Sequence, residues 1–262
     1  MNSKNIIKQN KIRIDYKIGE KIIIENGFMK VARSPHKLRY PKRLDKDLAY
    51  LAGYHLGDGY LEDINKTFNR RGRGRYEIDY ADSDIQQINM INKIINEKFG
   101  HNLRIYKRPN VNLWIGRSAC KVLHWFLNEK MGIPYGKKKI IEIPTWIKKY
   151  PSFMSAFLSG FFDAEGDVGR TRNRKYKEKI YYKVRVQLTQ KDKNILLRIK
   201  NILEEEYEIK SYVFPKWHYD GFILKFDSRK SIENFKNKIN FRNQIKKEKL
   251  NKLILKLKNH NL

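Results

Sequence analysis

The sequence predicts an α+β protein in which one unit, helix, two strands, helix, two strands, helix, occurs twice. Three observations predict it. A segment beginning at Asp47 (DLAYLAGYHLGDGYL) returns in altered form at Met154 (MSAFLSGFFDAEGDV). Between the copies Leu51 matches Leu158, Gly53 matches Gly160, Asp58 matches Glu165 and Gly59 matches Gly166, all at a spacing of 107 residues. Downstream, YEIDYADSDIQQINMINKII from Tyr76 and VRVQLTQKDKNILLRIKNIL from Val184 both pass from alternation to helical spacing. A repeat at fixed spacing with the same order of patterns reads as a duplicated supersecondary unit.

Each element has its own signal. In the second copy Val184, Val186 and Leu188 face a core while Arg185 and Gln187 face outward, and Ile195, Ile199 and Ile202 then recur at helical intervals. A hairpin follows in both copies, LRIYKRPNVNLWIG turning at Pro109 and Asn110 and SYVFPKWHYDGFILKF turning at Asp220 and Gly221. Closing helices are expected to start near the N-cap residues Ser118 and Ser228. A connector near 132–150 carries Pro134 and Pro144. The expected divisions are a basic N-terminal extension over 1–44, a first repeat over 45–143, a second over 144–241 and a basic helix or tail over 242–262.

Composition narrows the partner. The 262 residues hold 57 Lys and Arg against 28 Asp and Glu, a formal charge of +29. Residues 1–44 carry 12 basic against 3 acidic side chains, and residues 229–262 carry 11 against 2. So large an excess points to a polyanion, and nucleic acid leads because neutralising phosphates releases condensed counterions. A single cysteine, Cys120, excludes an internal disulfide framework and a Cys-ligated zinc site. The first residues lack the apolar core of a signal peptide, and the longest apolar stretch, near Phe153 to Phe162, is too short to span a bilayer. The expectation is a soluble, intracellular protein with no membrane partner. Its ends do not read as intein splice junctions, since residue 1 is Met and Leu262 follows His260 and Asn261.

The paired motifs carry the chemistry. Gly53 and Gly57 stand four apart, as do Gly160 and Ala164, so two helices can meet along small-residue faces. Gly59 and Gly166 are expected to end those helices in the left-handed conformation, leaving Asp58 and Glu165 side by side. Unpaired carbonyls at the helix ends, near Gly57 and Ala164, would join the two carboxylates as oxygen ligands for Mg²⁺ or Mn²⁺. Metal-assisted hydrolysis of a phosphodiester follows from such a set.

LSGFFDAEG, Leu158 to Gly166, closely resembles the LAGLIDADG signature, and LAGYHLGDG, Leu51 to Gly59, is a looser copy. With the duplicated pattern, the similarity covers about residues 45–241. The resemblance to the single-chain, two-motif LAGLIDADG homing endonucleases implies αββαββα repeats forming a saddle over DNA. It further implies a metal-dependent endonuclease that cuts double-stranded DNA at a long non-palindromic site. The family also places polar and basic side chains near the metals. Here those would be Gln190 and Lys191 at a strand end and Lys230 after the last hairpin, with Asp82 and Lys121 as first-copy counterparts. Asp163, where the first copy has Leu56, is assigned to the helix interface and not to the metal.

DNA readout has its own candidates. The segments 69–75 (NRRGRGR) and 170–177 (RTRNRKYK) follow the two motifs as basic loops, offering Arg70, Arg71, Arg73, Arg75, Arg172 and Arg174 to phosphates and guanines. Outward strand positions add Lys183, Arg185, Gln187, Lys191, Lys216 and Lys225. Glu77 and Asp79 stand in the first copy where Arg185 and Gln187 stand in the second, so the two half-sites should differ. The duplication makes a monomer the expected state. Two other functions fit the same scaffold: an intron RNA maturase, and a DNA-binding protein without catalysis.

Overall fold

The computed structural model describes residues 12–16, 20–32, 34, 36–67, 75–136, 140–176, 179–218 and 220–260. Two compact units result, one of residues 1–44 and 61–136, the other of residues 45–60 and 137–262. The protein is α+β, with three four-stranded antiparallel sheets among the described residues. No helix among them is long and apolar enough to cross a membrane.

The first unit opens with a sheet that the basic composition of the N-terminus conceals. Strands β1 (Ile12–Tyr16), β2 (Glu20–Glu25), β3 (Phe28–Val31) and β4 (Lys37–Arg39) form a meander in that order. Asn26 and Gly27 both have positive φ, 52° and 78°, and make the tight turn from β2 to β3. That dipeptide between the apolar runs of Ile22–Ile24 and Phe28–Met29 is the sequence signal for the hairpin. Met29 and Leu38 are buried, and Arg39 donates to the carbonyl of Asn96, so the sheet is docked and is not a loose tail.

A second sheet, in the order β5-β6-β8-β7, is formed by β5 (Gly59–Leu61), β6 (Ile78–Asp82), β7 (Arg104–Lys107) and β8 (Trp114–Ser118). A short helix α2 (Ile64–Thr67) follows β5. Helix α3 (Ile85–Phe99) lies against β6 and β8, capped by Asp84 at its start and by Gly100, φ 68°, at its end. Helix α4 (Lys121–Trp125) runs on into a π-helical turn over Phe126–Lys130. Ser118 is the last residue of β8 and not the N-cap of α4, although its hydroxyl accepts from the Cys120 N–H at 3.2 Å.

The second unit is built on two helices, α1 (Lys46–Asp58) and α5 (Pro151–Glu165). Every residue from Leu48 to Leu56 is buried, so α1 is covered all round, as its continuous apolar run requires. This contact draws the first motif helix into the unit that holds the second. The third sheet, ordered β11-β12-β10-β9, contains β9 (Gly166–Tyr176), β10 (Lys179–Gln190), β11 (Tyr212–Pro215) and β12 (Phe222–Phe226). Helices α6 (Lys193–Tyr207) and α7 (Arg229–Lys238) follow β10 and β12, α8 (Gln244–His260) follows α7, and Ser228 caps α7 as its sequence position suggests. Phe162 of α5 meets Phe226, Phe235 and Phe241 at ring-centroid separations of 6.0, 4.8 and 6.4 Å, which ties α5 to the sheet and to α7.

Candidate active site

The meeting of α1 and α5 is set by glycine. A β-carbon on Gly53 would lie 2.0 Å from the Phe157 carbonyl oxygen, and one on Gly160 would lie 2.1 Å from that of Tyr50. No side chain fits at either position, so the two backbones touch. Further along, a β-carbon on Gly57 would lie 2.4 Å from the Ala164 β-carbon and 3.0 Å from Cγ of Glu165. Glu165 therefore leans over the Gly57 end of the partner helix.

Gly59 and Gly166 do not adopt the left-handed conformation expected of them. Their φ values are −90° and −91° with ψ near 150°, extended backbone that passes directly into β5 and β9. Glycine is needed there for space: a β-carbon on Gly59 would sit 2.5 Å from the His55 ring, and one on Gly166 would sit 2.3 Å from the Phe162 carbonyl oxygen. The helix thus turns into a strand without a looped cap, which delivers Asp58 and Glu165 at the mouth of each strand.

The two acids are held differently. Asp58 is exposed, whereas Glu165 is half-buried and its Oε1 accepts from Gln190 Nε2 at 2.6 Å. Gln190 is itself oriented, because its Oε1 accepts from the Lys191 N–H at 3.1 Å. At the corresponding place in the first copy, Asp82 accepts from the Asp84 N–H at 2.8 Å and so serves the start of α3. Lys230 pairs with Glu208 at 2.8 Å, and Lys191 with Asp220 at 3.1 Å; the structure brings Gln190 to Glu165 but commits these two lysines elsewhere. Among the described residues no group of three or more His, Cys, Asp or Glu side chains could hold a metal ion.

Behind Glu165 lies a polar knot that sequence reading placed only at the helix interface. Asp163 is fully buried, and its Oδ2 accepts from the Tyr50 hydroxyl at 2.7 Å and from the N–H groups of Arg242 and Asn243 at 3.0 and 2.9 Å. Burial pushes its pKa up to about 6, against the pull of these donors and of Lys246. Lys246 donates to the carbonyls of Phe162 and Asp163, where an ammonium offsets the negative end of α5. Arg242 also pairs with Asp47 at 3.0 Å. These partners lie some 80 residues beyond the motif, so no local pattern announces them.

The outward faces of the sheets hold several DNA candidates. Cross-strand pairing aligns Asp167, Gln187, Lys225 and Tyr212 in one row across β9, β10, β12 and β11, while Val184, Val186 and Leu188 are buried. Arg185 reaches Asp167 at 3.4 Å, Lys225 reaches Asp227 at 3.3 Å, Lys183 is exposed and Lys216 is half-buried in the hairpin turn. Residues 170–176, expected as a loop, are strand: β9 pairs with β10 as far as Tyr176, so Arg172 and Arg174 belong to a long ribbon. Arg75 is exposed, and Arg70, Arg71 and Arg73 lie outside the described residues. In the first copy Arg117 grips Asp79 through two bonds of 2.8 and 2.7 Å.

Comparison with known proteins agrees with this geometry. Residues 152–240 match the model of the LAGLIDADG-like domain. The fold resembles I-SmaMI bound to uncleaved DNA target in the presence of calcium ions, with a TM-score of 0.57, 11% identity and coverage of 84% of this chain and 93% of that one. It also resembles I-DmoI in complex with DNA and Mn, with a TM-score of 0.52, 18% identity and coverage of 74% and 96%. A probable translation initiation factor IF-2 of Methanocaldococcus jannaschii is 28% identical over 97% of this chain, which spans only 20% of that relative's length. Two motifs in register and backbone contact between their helices accompany this likeness, in which residues 152–240 resemble a LAGLIDADG-like domain and the chain shares the fold of I-SmaMI and I-DmoI.

Proposed function

We propose that the protein is a site-specific double-stranded DNA endonuclease that uses Asp58 and Glu165 with a divalent metal. The observation that carries this reading is the delivery of two carboxylates to neighbouring helix ends by a contact no side chain could occupy. Fold relatives crystallised with DNA and Mn or calcium ions support it. The repeats would run over 45–143 and 144–241, and one chain would act as a monomer.

The donors fit a hard dication. Two carboxylates and the carbonyls of Gly57 and Ala164 are oxygen donors, and a sparse protein set suits Mg²⁺ or Mn²⁺, which keeps water and takes substrate phosphate oxygens. Once bound, the ion would polarise a phosphate oxygen and acidify water. The chain's own part is to hold the carboxylates together against their repulsion, with Gln190 fixing the position of Glu165. Arg185 and Gln187 would read bases, and basic side chains along β9 and β10 would bind phosphates.

The test is cleavage of a library of duplexes in Mg²⁺, followed by the same assay on Asp58→Asn and Glu165→Gln. Each variant keeps its shape and loses a charge, so cutting should fall by at least about 10³-fold while duplex binding persists. Full cutting by either variant refutes the site. Intron splicing by a chain that cuts no DNA would establish the RNA maturase instead.

A further inference from the structure

Within the first unit, a cleft of about 1190 Å³ opens between the N-terminal sheet and the end of the β7–β8 hairpin. Lys21, His36 and Lys37 line it from the N-terminal sheet, and His101, Arg104 and Lys121 line it from the repeat. No carboxylate lines it among the described residues. Burial, and then the charge of His36, lower the pKa of His101. A wall of one sign invites an anion.

The cleft also continues a surface. Asp79, Arg117 and Arg104 are cross-strand partners on β6, β8 and β7, so they share one face, opposite the buried Ile78 and Tyr80. Arg117 and Arg104 also line the cleft. A duplex lying on that face would carry its backbone past Arg104 and over the N-terminal sheet, which Arg39 and Met29 hold in place.

We propose that the N-terminal sheet and this cleft form an additional binding site for the sugar-phosphate backbone of duplex DNA, lengthening the contact beyond the strands of the first repeat. The proposal rests on the nuclease reading. It assigns to residues 12–39 a phosphate-binding role independent of base sequence.

Two readouts test it. Lys21 and Lys37 are exposed, so Lys21→Ala with Lys37→Ala should leave the fold and its melting temperature intact. On a 40-base-pair duplex of mixed sequence (~40 by design, long enough for a phosphate track), the double variant should lower the slope of log affinity against log salt by about 1.8. Cys120, the chain's sole cysteine, lines the same cleft, so the duplex should slow its alkylation several-fold in the wild-type protein. An unchanged slope, or alkylation that the duplex does not slow, overturns the proposal while leaving cleavage as its own question. Protection by an RNA hairpin and not by the duplex overturns it too. If the wild-type chain binds no duplex at all, the nuclease reading fails first.

Discussion

Asp58 and Glu165 end sister helices that touch along matched glycines, yet one is exposed and the other is bonded to Gln190 at 2.6 Å. The equivalent strand end in the first copy has Asp82, which turns back to cap its own turn. Backbone geometry is thus repeated, while the residue at the matching strand end is an amide in one copy and a carboxylate in the other. Duplication fixes the close packing, because a β-carbon at Gly53 or Gly160 is excluded on both sides, but polar neighbours are free to diverge. Two centres with the same frame and different strand-end residues should cut their two strands at unequal rates.

Removing the support is the largest way to break this comparison. Gln190→Ala removes the hydrogen bond that positions Glu165 and should slow the cut on one strand by about 10- to 100-fold, the usual cost of losing a residue that orients a metal ligand. Asp82→Ala should leave both nicking rates near wild type and lower only the stability of the α3 start. Strand-specific end-labelling of a nicked plasmid reads both. Equal slowing of both strands by Gln190→Ala would show that the centres are coupled.

The reading faces sharpen the comparison at smaller scale. Arg117 is locked on Asp79 by two short bonds, whereas Arg185 meets Asp167 at 3.4 Å. Arg185 is thus the more easily recruited to a base. Arg185→Ala should relax preference at a few positions of one half-site, at about 1 to 3 kcal/mol per lost bidentate contact. Arg117→Ala should change affinity for all sequences alike. Binding to single-substitution duplexes distinguishes them, and a uniform loss for Arg185→Ala would reduce β10 to a phosphate track.

Asp163 has no acidic counterpart in the first copy, where Leu56 stands, and gives the smallest effect. Its pKa in the folded protein, about 6, lies above the ordinary 3.8, so folding favours the protonated form. The stability it contributes is full below pH of about 4 and declines as pH rises through about 6. Asp163→Asn keeps an acceptor for Tyr50 and removes the titration. The melting temperature of the variant relative to wild type should rise by a few degrees between mild acid and neutrality, measured by thermal scans at several pH values. A difference independent of pH would mean that Asp163 does not titrate in that range.

What could be read in advance follows from the range of the interactions. The helix pair was legible because spacing four between small residues and an acid before glycine are local patterns, repeated twice. Strand alternation in Val184, Val186 and Leu188 was legible for the same reason. The left-handed caps were not correct, because a helix running directly into a strand needs room for His55 and Phe162, and that crowding exists only in three dimensions. The strands of residues 12–39 were masked by lysines, although Asn26-Gly27 marked their hairpin. Arg242 and Lys246, the distant partners of Asp163, escaped because their bonds join chain segments about 80 residues apart.

The contact between α1 and α5 also bears on how the chain reaches its folded state. Helix α1 leaves its ribosome-proximal neighbours behind and finds its partner only after the whole first repeat has been made. Its apolar surface, buried all round in the finished protein, must wait for a segment about 100 residues away, and long-range closures of this kind are slow to form. Until α5 arrives, α1 is the exposed end of an unfinished core. The glycines that let the two backbones touch therefore act only once α5 has been made, as a latch between a helix that has waited and the start of the segment that carries the third sheet.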